Sequence, residues 1–293
     1  MSHSCVPNCA HSVFPNKTLA LQAKHKIKAG EEFTIAYISP LQGSLKRRMK
    51  LHDKWFFDCG CPRCQSPTEL ESFTSVHLCQ ICGSEDAHIL PTDVRKDGSD
   101  WSCCKCGALT DPQDLNKRET EIATAMAALD NFKVVEFEKF HESLAHLLHP
   151  NHYLMVLLKR HMVGLYSTVL TELEAEDLER VRFLLREGNK NKKYFKVKRY
   201  CEEVDRVYQI IDPGYQKERG TMLRALCEVA KILAKKYLNE GKETEEQFSE
   251  RVKTCIELFQ EGQKCMFVRL KKDQNDVSKY LVVARKDPVS LSS

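Results

Sequence analysis

The chain has 293 residues, of which 42% are hydrophobic, so it is long and apolar enough to form two or more packed domains. Its 45 basic and 41 acidic residues leave a net charge of +4, which gives no global support to direct nucleic-acid binding. Apolar stretches stay below the roughly 20 residues that cross a bilayer, and the amino terminus carries no hydrophobic signal core, so we expect a cytoplasmic and/or nuclear protein with no membrane partner.

Cysteine is frequent and unevenly distributed, since ten of the 14 cysteines fall between residues 5 and 106. Reduced cysteines crowded in this way indicate metal binding rather than disulfides. The other four lie in helical patterns, where a free cysteine usually behaves as a small buried hydrophobe. These four are Cys201, Cys227, Cys255 and Cys265.

Short β-strands are predicted first in the chain. Apolar runs within residues 9 to 37 alternate with turn signals at Pro15-Asn16 and Ala29-Gly30. Adjacent Glu31 and Glu32 would face opposite sides of a strand, which argues against a general acid/base pair. Residues 44 to 54 contain strong helix formers and predict one helix leading into the first cysteine cluster.

The first cysteine cluster is typical of a structural zinc site. It has the form Cys59-x-Cys61-x-x-Cys64, with the turn-forming residues Gly60 and Pro62 between the thiols. A closed zinc site is tetrahedral and needs four ligands. The fourth ligand must therefore come from elsewhere in the chain.

A second set of four cysteines forms two Cys-x-x-Cys pairs, and a separation of about 20 residues predicts two zinc knuckles. A glycine follows each pair, at Gly83 and Gly107, and glycine tolerates the positive φ that the return turn of a knuckle requires. Cys104 is then spare, and His88 is an alternative ligand that we expect to be solvated instead. Four thiolates leave no open coordination position, so both zinc sites are expected to be structural. The predicted ligands of the second site are Cys79, Cys82, Cys103 and Cys106.

From about residue 115 the apolar residues follow the period of amphipathic helices. Breaks at His149-Pro150-Asn151 and Asp212-Pro213-Gly214 separate the helices, and Thr244-x-x-Gln247 matches a capping box. Such short breaks favour antiparallel helix pairs stacked in a tetratricopeptide-like array, although no clean internal repeat is visible. The periodic series run from Phe137 to Leu147, Leu154 to Val169, Leu223 to Tyr237 and Phe248 to Phe259.

A basic run interleaved with aromatic residues covers residues 189 to 200. It could suit an acidic partner or nucleic acid. A solvated loop that enters a helix explains it equally well.

Three segments near the amino end together resemble one protein family. Ser2-His3-Ser4-Cys5-Val6-Pro7-Asn8 is followed by Gly30-Glu31-Glu32-Phe33-Thr34-Ile35-Ala36-Tyr37 and then by the first cysteine cluster. These segments are similar to the C-terminal part of a SET domain and its post-SET extension, as in SMYD-type lysine methyltransferases. The second zinc pair and Ser2 bring the chain closer to the arthropod SmydA-type members. The resemblance implies protein-lysine methyl transfer from S-adenosylmethionine.

The resemblance also implies roles for individual residues. Tyr37 corresponds to the catalytic tyrosine, whose hydroxyl orients the lysine amine, and Cys5 to the fourth ligand of the first zinc ion, with Cys9 as a possible rival. His3 corresponds to a histidine that contacts the adenosine of the methyl donor. Phe57 matches an aromatic residue that packs on the adenine or closes the lysine channel. Ser2 replaces the family's asparagine, so a cofactor contact there is weakened.

The family carries a Gly-x-Gly cofactor loop upstream of these segments, and no such loop precedes them here. We therefore expect a chain truncated within its SET domain, with weak or absent S-adenosylmethionine binding and little activity of its own. The alternative is a non-catalytic, zinc-stabilised interaction module, such as a transcriptional regulator, that binds a protein or peptide through its helices. The residues do not indicate a substrate protein, a methylation state or an oligomeric state.

The predicted fold class is α+β, with a small β-rich SET remnant, two zinc-bound segments and an all-α C-terminal domain. The expected domains are the C-terminal part of the SET domain at 1–40, the post-SET zinc segment at 41–66, the second zinc-knuckle segment at 67–114, and the helical domain at 115–293.

Overall fold

The computed structural model describes residues 1–13, 17, 19–84, 86–96, 98–130, 133–174, 190–214, 217–239, 241 and 244–270. Within these residues the fold is α+β, as predicted, with eight short strands and seven helices. Three small sheets lie in the first 110 residues, and six of the helices follow them.

The amino-terminal strands form two small sheets. Strand β1 (Ser2–His3) pairs in parallel with β4 (Thr34–Ile35), which joins the beginning of the chain to the segment that carries Tyr37. Strands β2 (Cys9–Val13) and β3 (Leu19–Ala23) form an antiparallel hairpin. The strands predicted within residues 9 to 37 are thus confirmed, and β1 is an addition.

Helix α1 (Ser44–Trp55) matches the predicted helix and ends at Phe56, whose left-handed backbone turns the chain toward the first cysteine cluster. The second cysteine cluster lies on a four-stranded antiparallel sheet. Its strands are β5 (His77–Leu78), β6 (His88–Pro91), β7 (Trp101–Cys103) and β8 (Leu109–Thr110). A small core around buried Trp101, Ile89 and Leu115 supports this sheet.

Helix α2 (Pro112–Ala127) begins three residues before the expected domain boundary at 115, and the sequence argument did not identify it as a separate helix. Asp111 is its N-cap and accepts a hydrogen bond from the backbone N–H of Gln113 at 2.7 Å, with Pro112 at the first helical position. Asp-Pro at a helix start is a recognised local signal, so the residues did carry the information.

The remaining helices pack in sequence order around one apolar core, as expected for a stacked helical array. Each predicted periodic series falls within a helix, except that α3 ends before Leu147. The capping box at Thr244 is present, since Thr244 and Gln247 exchange backbone-to-side-chain hydrogen bonds at 3.0 and 3.2 Å. The helices are α3 (Val134–Leu144), α4 (Tyr153–Glu174), α5 (Lys190–Ile211), α6 (Lys217–Asn239) and α7 (Glu245–Leu270).

The basic run differs from the loop interpretation, because α5 is already helical from Lys190. Lys196 contacts the Glu138 carboxylate at 2.7 Å, and Tyr200 is buried in the core. Three of the four helical cysteines, Cys201, Cys227 and Cys255, are buried as predicted. The Cys265 side chain lies outside the described residues.

Backbone hydrogen bonds join the four-stranded sheet, and the turn before it, to the region between α3 and the start of α4. The Leu78 N–H donates to the Leu147 carbonyl at 2.9 Å, and the Tyr153 N–H donates to the Thr74 carbonyl at 2.9 Å. A buried ion pair between Lys24 and Asp212 joins the β2–β3 region to the end of α5. Among the residues described, no helix is at once long and apolar enough to cross a lipid bilayer.

Candidate functional site

The first cysteine cluster gathers four thiols from two distant segments. Cys5 follows β1, and the other three thiols follow α1. The Cys5 sulfur lies 4.0 Å from that of Cys59 and 3.6 Å from that of Cys64, and all four sulfurs, including that of Cys61, lie within 4.8 Å of one another. Tetrahedral zinc with Zn–S bonds of about 2.3 Å separates its sulfurs by about 3.8 Å, so the donor set fits this metal. Cys9 is buried outside the cluster and is not part of it.

The close spacing of the four thiols limits how many of them can be ionised together. Hydrogen bonding among the four sulfurs raises the pKa of Cys5 and lowers that of Cys61. Four adjacent thiolates, three of them buried, cannot all carry charge without compensation. A bound divalent ion would supply that compensation and hold the two segments together.

A buried network of charges surrounds the first cluster. Arg47 and Arg63 are both 0% exposed, and each contacts the same Glu69 oxygen at 2.7 Å. One Arg47 nitrogen also lies 3.8 Å from the Cys64 sulfur. Zinc with four thiolates has a net charge of about −2, so two guanidinium groups against one carboxylate offset part of it. The sequence argument missed this network because its members are spread over more than 20 positions.

The second cluster also brings its predicted ligands together. The sulfurs of Cys79 and Cys106 are 3.7 Å apart, and those of Cys82 and Cys103 are 3.8 Å apart. Burial raises the pKa of Cys103, but backbone N–H groups at Cys106 and Lys105 outweigh it and hold the value at about 6. These N–H groups favour the thiolate that zinc requires.

The residues around the second cluster follow the predicted pattern. Gly83 and Gly107 adopt φ values of 59° and 72°, which is the left-handed conformation that the knuckle turns were expected to need. Cys104 is exposed and its thiol donates to the Asp86 carbonyl at 3.3 Å, outside the four-sulfur group. His88 is the exception, because its ring stays outside the four-sulfur group as expected but is half-buried against Phe73 rather than solvated.

Tyr37 lies beside the first cluster, within a group of aromatic rings. Its ring centroid is 5.2 Å from that of His3, 5.5 Å from that of Trp55 and 6.3 Å from that of Phe57. Its hydroxyl donates to the backbone carbonyl of Met1 at 2.5 Å. Three predicted site residues therefore form one group, and Trp55 is a fourth member that the sequence argument did not name.

Ser2 and Asn8 hold the neighbouring backbone. The Ser2 hydroxyl donates to the Glu32 carboxylate. The buried Asn8 amide donates to the Glu31 carboxylate at 3.0 Å and to the Glu32 carbonyl at 2.8 Å, while its oxygen accepts the Thr34 N–H at 2.9 Å. Glu31 and Glu32 lie before β4 rather than on a strand, so the opposite-face argument does not apply to them, but their carboxylates make separate contacts.

A third polar cluster was not foreseen. His77 from β5 and His152 before α4 place their Nε2 atoms 3.3 and 3.4 Å from one oxygen of Glu119 on α2, and all three residues are buried. Burial alone raises the pKa of Glu119, but the adjacent His152 and His77 rings hold it well below its usual range. The carboxylate is thus the anionic centre of the cluster.

The hydrogen bond between His77 and Glu119 and two further contacts favour a polar junction over a third metal site there, although Nε2 of His152 has no hydrogen-bond partner among the described residues. The Leu154 N–H points to Nδ1 of His152 at 3.3 Å, which leaves the proton of a neutral ring on Nε2, facing the carboxylate. The Lys46 ammonium lies 3.8 Å from Glu119 and already balances its charge. A divalent cation would add uncompensated positive charge to a buried site.

Comparison with known proteins agrees with this geometry. Residues 1–38 match the family model described as "SET domain". The SET domain-containing protein SmydA-8, isoform B, of Drosophila melanogaster is 34% identical over 106 residues, which are 36% of this chain and 23% of that protein. The histone-lysine N-methyltransferase SMYD3 of Mus musculus is 47% identical over 66 residues, or 22% of this chain and 15% of that protein. The protein-lysine N-methyltransferase SMYD4 of Pongo abelii is 34% identical over 89 residues, or 29% and 11%.

The chain thus spans less than a quarter of the length of each of these relatives.

Proposed function

We propose that this SMYD-type SET-domain protein, with its similarity to arthropod SmydA proteins, serves in protein-lysine methyl transfer from S-adenosylmethionine. The observation that carries the proposal is the position of Tyr37. Tyr37 lies two residues beyond β4, with its side chain beside His3 and Phe57 and next to the four-thiol cluster. In the proposed reaction, the lysine nitrogen forms a bond to the methyl carbon as the carbon–sulfur bond of the donor breaks.

The residues of this chain would contribute orientation and desolvation. The lysine amine must be neutral to attack, and an apolar surrounding lowers the pKa of an ammonium. The Tyr37 hydroxyl can accept a hydrogen bond from the amine and align its lone pair. That hydroxyl donates its proton to the Met1 carbonyl, which leaves its lone pairs able to accept from the amine. Phe57 and Trp55 supply the apolar surfaces of the same group.

Each zinc ion would act in this proposal by fixing backbone. The first would join Cys5 to the segment after α1, and the second would stabilise the sheet beneath α2. Four thiolates at each site fill the coordination sphere, so neither ion would meet the substrate.

A second candidate function is a non-catalytic module that binds a protein or peptide through its helices. Centroid separations of 5.2 to 6.3 Å put the Tyr37 ring in contact with the neighbouring His3, Trp55 and Phe57 rings. The Tyr37 hydroxyl already donates to the Met1 carbonyl. Because the rings are packed against one another, these contacts favour the non-catalytic module. Binding to nucleic acid is not part of either proposal.

Titration calorimetry of the zinc-loaded chain with S-adenosylmethionine separates the two functions. Micromolar binding supports the methyltransferase proposal, and Tyr37→Phe should then retain binding while losing methyl transfer to a lysine peptide. No binding at millimolar ligand would reject the proposal for this chain. Capture of a peptide by the same preparation would then support the interaction module.

A further inference from the structure

We propose that His3 is a positioning residue, whose imidazole bridges the Cys5 ligand of the first zinc centre and the backbone of Tyr37 by two separate hydrogen bonds. The inference assumes the zinc site and gives Tyr37 the role proposed above. It assigns His3 a task different from the adenosine contact that the family resemblance implies.

The hydrogen bonds of the His3 ring define its tautomer. The backbone N–H of Tyr37 donates to Nδ1 at 3.1 Å, so Nδ1 must carry a lone pair. In a neutral imidazole the proton then resides on Nε2. That nitrogen lies 3.3 Å from the Cys5 sulfur, so the Nε2–H donates to a sulfur that would be a zinc-bound thiolate.

Both polar atoms of the ring are therefore occupied by the protein. No ring nitrogen remains to recognise an adenine or a ribose. The His3 ring itself packs against Tyr37 and Phe57. Outer-shell donors of this kind orient metal ligands, and their removal commonly weakens metal binding by about 10- to 100-fold. The path from ion to tyrosine runs through Cys5, the ring and the Tyr37 backbone.

Sheet pairing alone does not provide this connection. The β1–β4 register pairs His3 with Ile35, and the Ser4 N–H donates to the Ile35 carbonyl at 3.2 Å, but the pairing ends there. Tyr37 is two residues beyond β4. The imidazole extends the connection past the end of the sheet to the residue proposed for catalysis.

Two substitutions separate the two hydrogen bonds. In His3→Asn, the side-chain oxygen can take the place of Nδ1, while the donor to Cys5 is lost. In His3→Gln, the amide nitrogen can reach the position of Nε2, while the acceptor for the Tyr37 N–H is lost. Each variant is thus the matched control for the other.

The full chain loaded with cadmium-113 gives one resonance for each four-thiol site, so metal release to a chelator can be followed site by site. Hydrogen exchange at the Tyr37 amide is measured in the same samples. We expect His3→Asn to release the first metal about 10- to 100-fold faster with Tyr37 still protected. We expect His3→Gln to retain the metal and to exchange the Tyr37 amide faster.

Two outcomes would overturn the proposal. One is wild-type metal release and wild-type Tyr37 exchange in both variants. The other is parallel loss of both metals and of Tyr37 protection in both variants, which would mean general unfolding. Failure of S-adenosylmethionine binding would not alter these results, so the methyltransferase proposal and the His3 proposal can fail separately.

Discussion

Glu69 offers the sharpest test of the charge network around the first zinc site. Burial raises the pKa of this carboxyl, but Arg47 and Arg63 outweigh it and bring the pKa from 4.5 to about 2. A difference of this size corresponds to about 3 kcal/mol of folding free energy at neutral pH. Removing one partner from a buried ion pair typically costs about 3–5 kcal/mol, which agrees with the value obtained from the pKa of Glu69.

The substitution Glu69→Gln keeps the shape of the side chain and removes the carboxylate that pairs with both buried guanidinium groups. We expect it to lower the free energy of unfolding by about 3 kcal/mol. Urea unfolding at pH 7 in zinc-containing buffer, followed by tryptophan fluorescence, measures this, because Trp55 and Trp101 both lie in the zinc-bearing part of the chain. With a slope of about 1–3 kcal/mol per molar urea, the midpoint should fall by about 1–3 M.

The matched control is Glu71→Gln, because Glu71 is two residues away and exposed. It should change the stability by less than about 0.5 kcal/mol. A lowered carboxyl pKa contributes stability that is present above pH 4.5 and is lost as the pH falls through 2. The gap between wild type and Glu69→Gln should therefore be constant from pH 6 to 8. An unchanged midpoint in Glu69→Gln would refute the reasoning, as would an equal loss in Glu71→Gln.

Three further predictions concern the rest of the molecule. Cys82→Ser should remove one zinc ion per chain by elemental analysis, whereas Cys104→Ser should remove none, because Cys82 belongs to a four-sulfur group and Cys104 does not. Equal zinc in both variants would contradict a zinc site at the second cysteine cluster. Thr244→Ala should lower the free energy of unfolding by about 1 kcal/mol, measured by heat or urea, because the N–H of Gln247 loses its capping partner. An unchanged free energy of unfolding would show that the capping box contributes nothing. Burial and the nearby Lys159 lower the pKa of His141 to about 4, so the neutral ring contributes stability above pH 6.5 that is lost as the pH falls toward 4. His141→Gln should flatten this part of the stability profile as read by circular dichroism, and an unaltered slope would contradict the reasoning.

The local parts of the fold were predictable because their signals lie within a few residues. The two Cys-x-x-Cys pairs, the glycines after them and the capping box at Thr244 each depend on short-range geometry, and the described structure has each of them. The start of α2 had an equally local signal in Asp111-Pro112, which the sequence argument overlooked. The α5 boundary was misread because basic residues occur in exposed helices as well as in loops.

The sequence by itself determined that two sets of cysteines have the spacing of metal ligands, that short strands precede a helical array, and that the amino-terminal segments resemble a SET domain. These properties follow from residue type and period, which act over one or two turns of chain. Only the tertiary structure decided that Cys5 rather than Cys9 joins the first cluster, that Glu69 neutralises two buried arginines, and that His3 connects a thiol to Tyr37. Such partnerships depend on the path of the chain between distant positions, because a buried charge or imidazole selects its partner by proximity in the folded core.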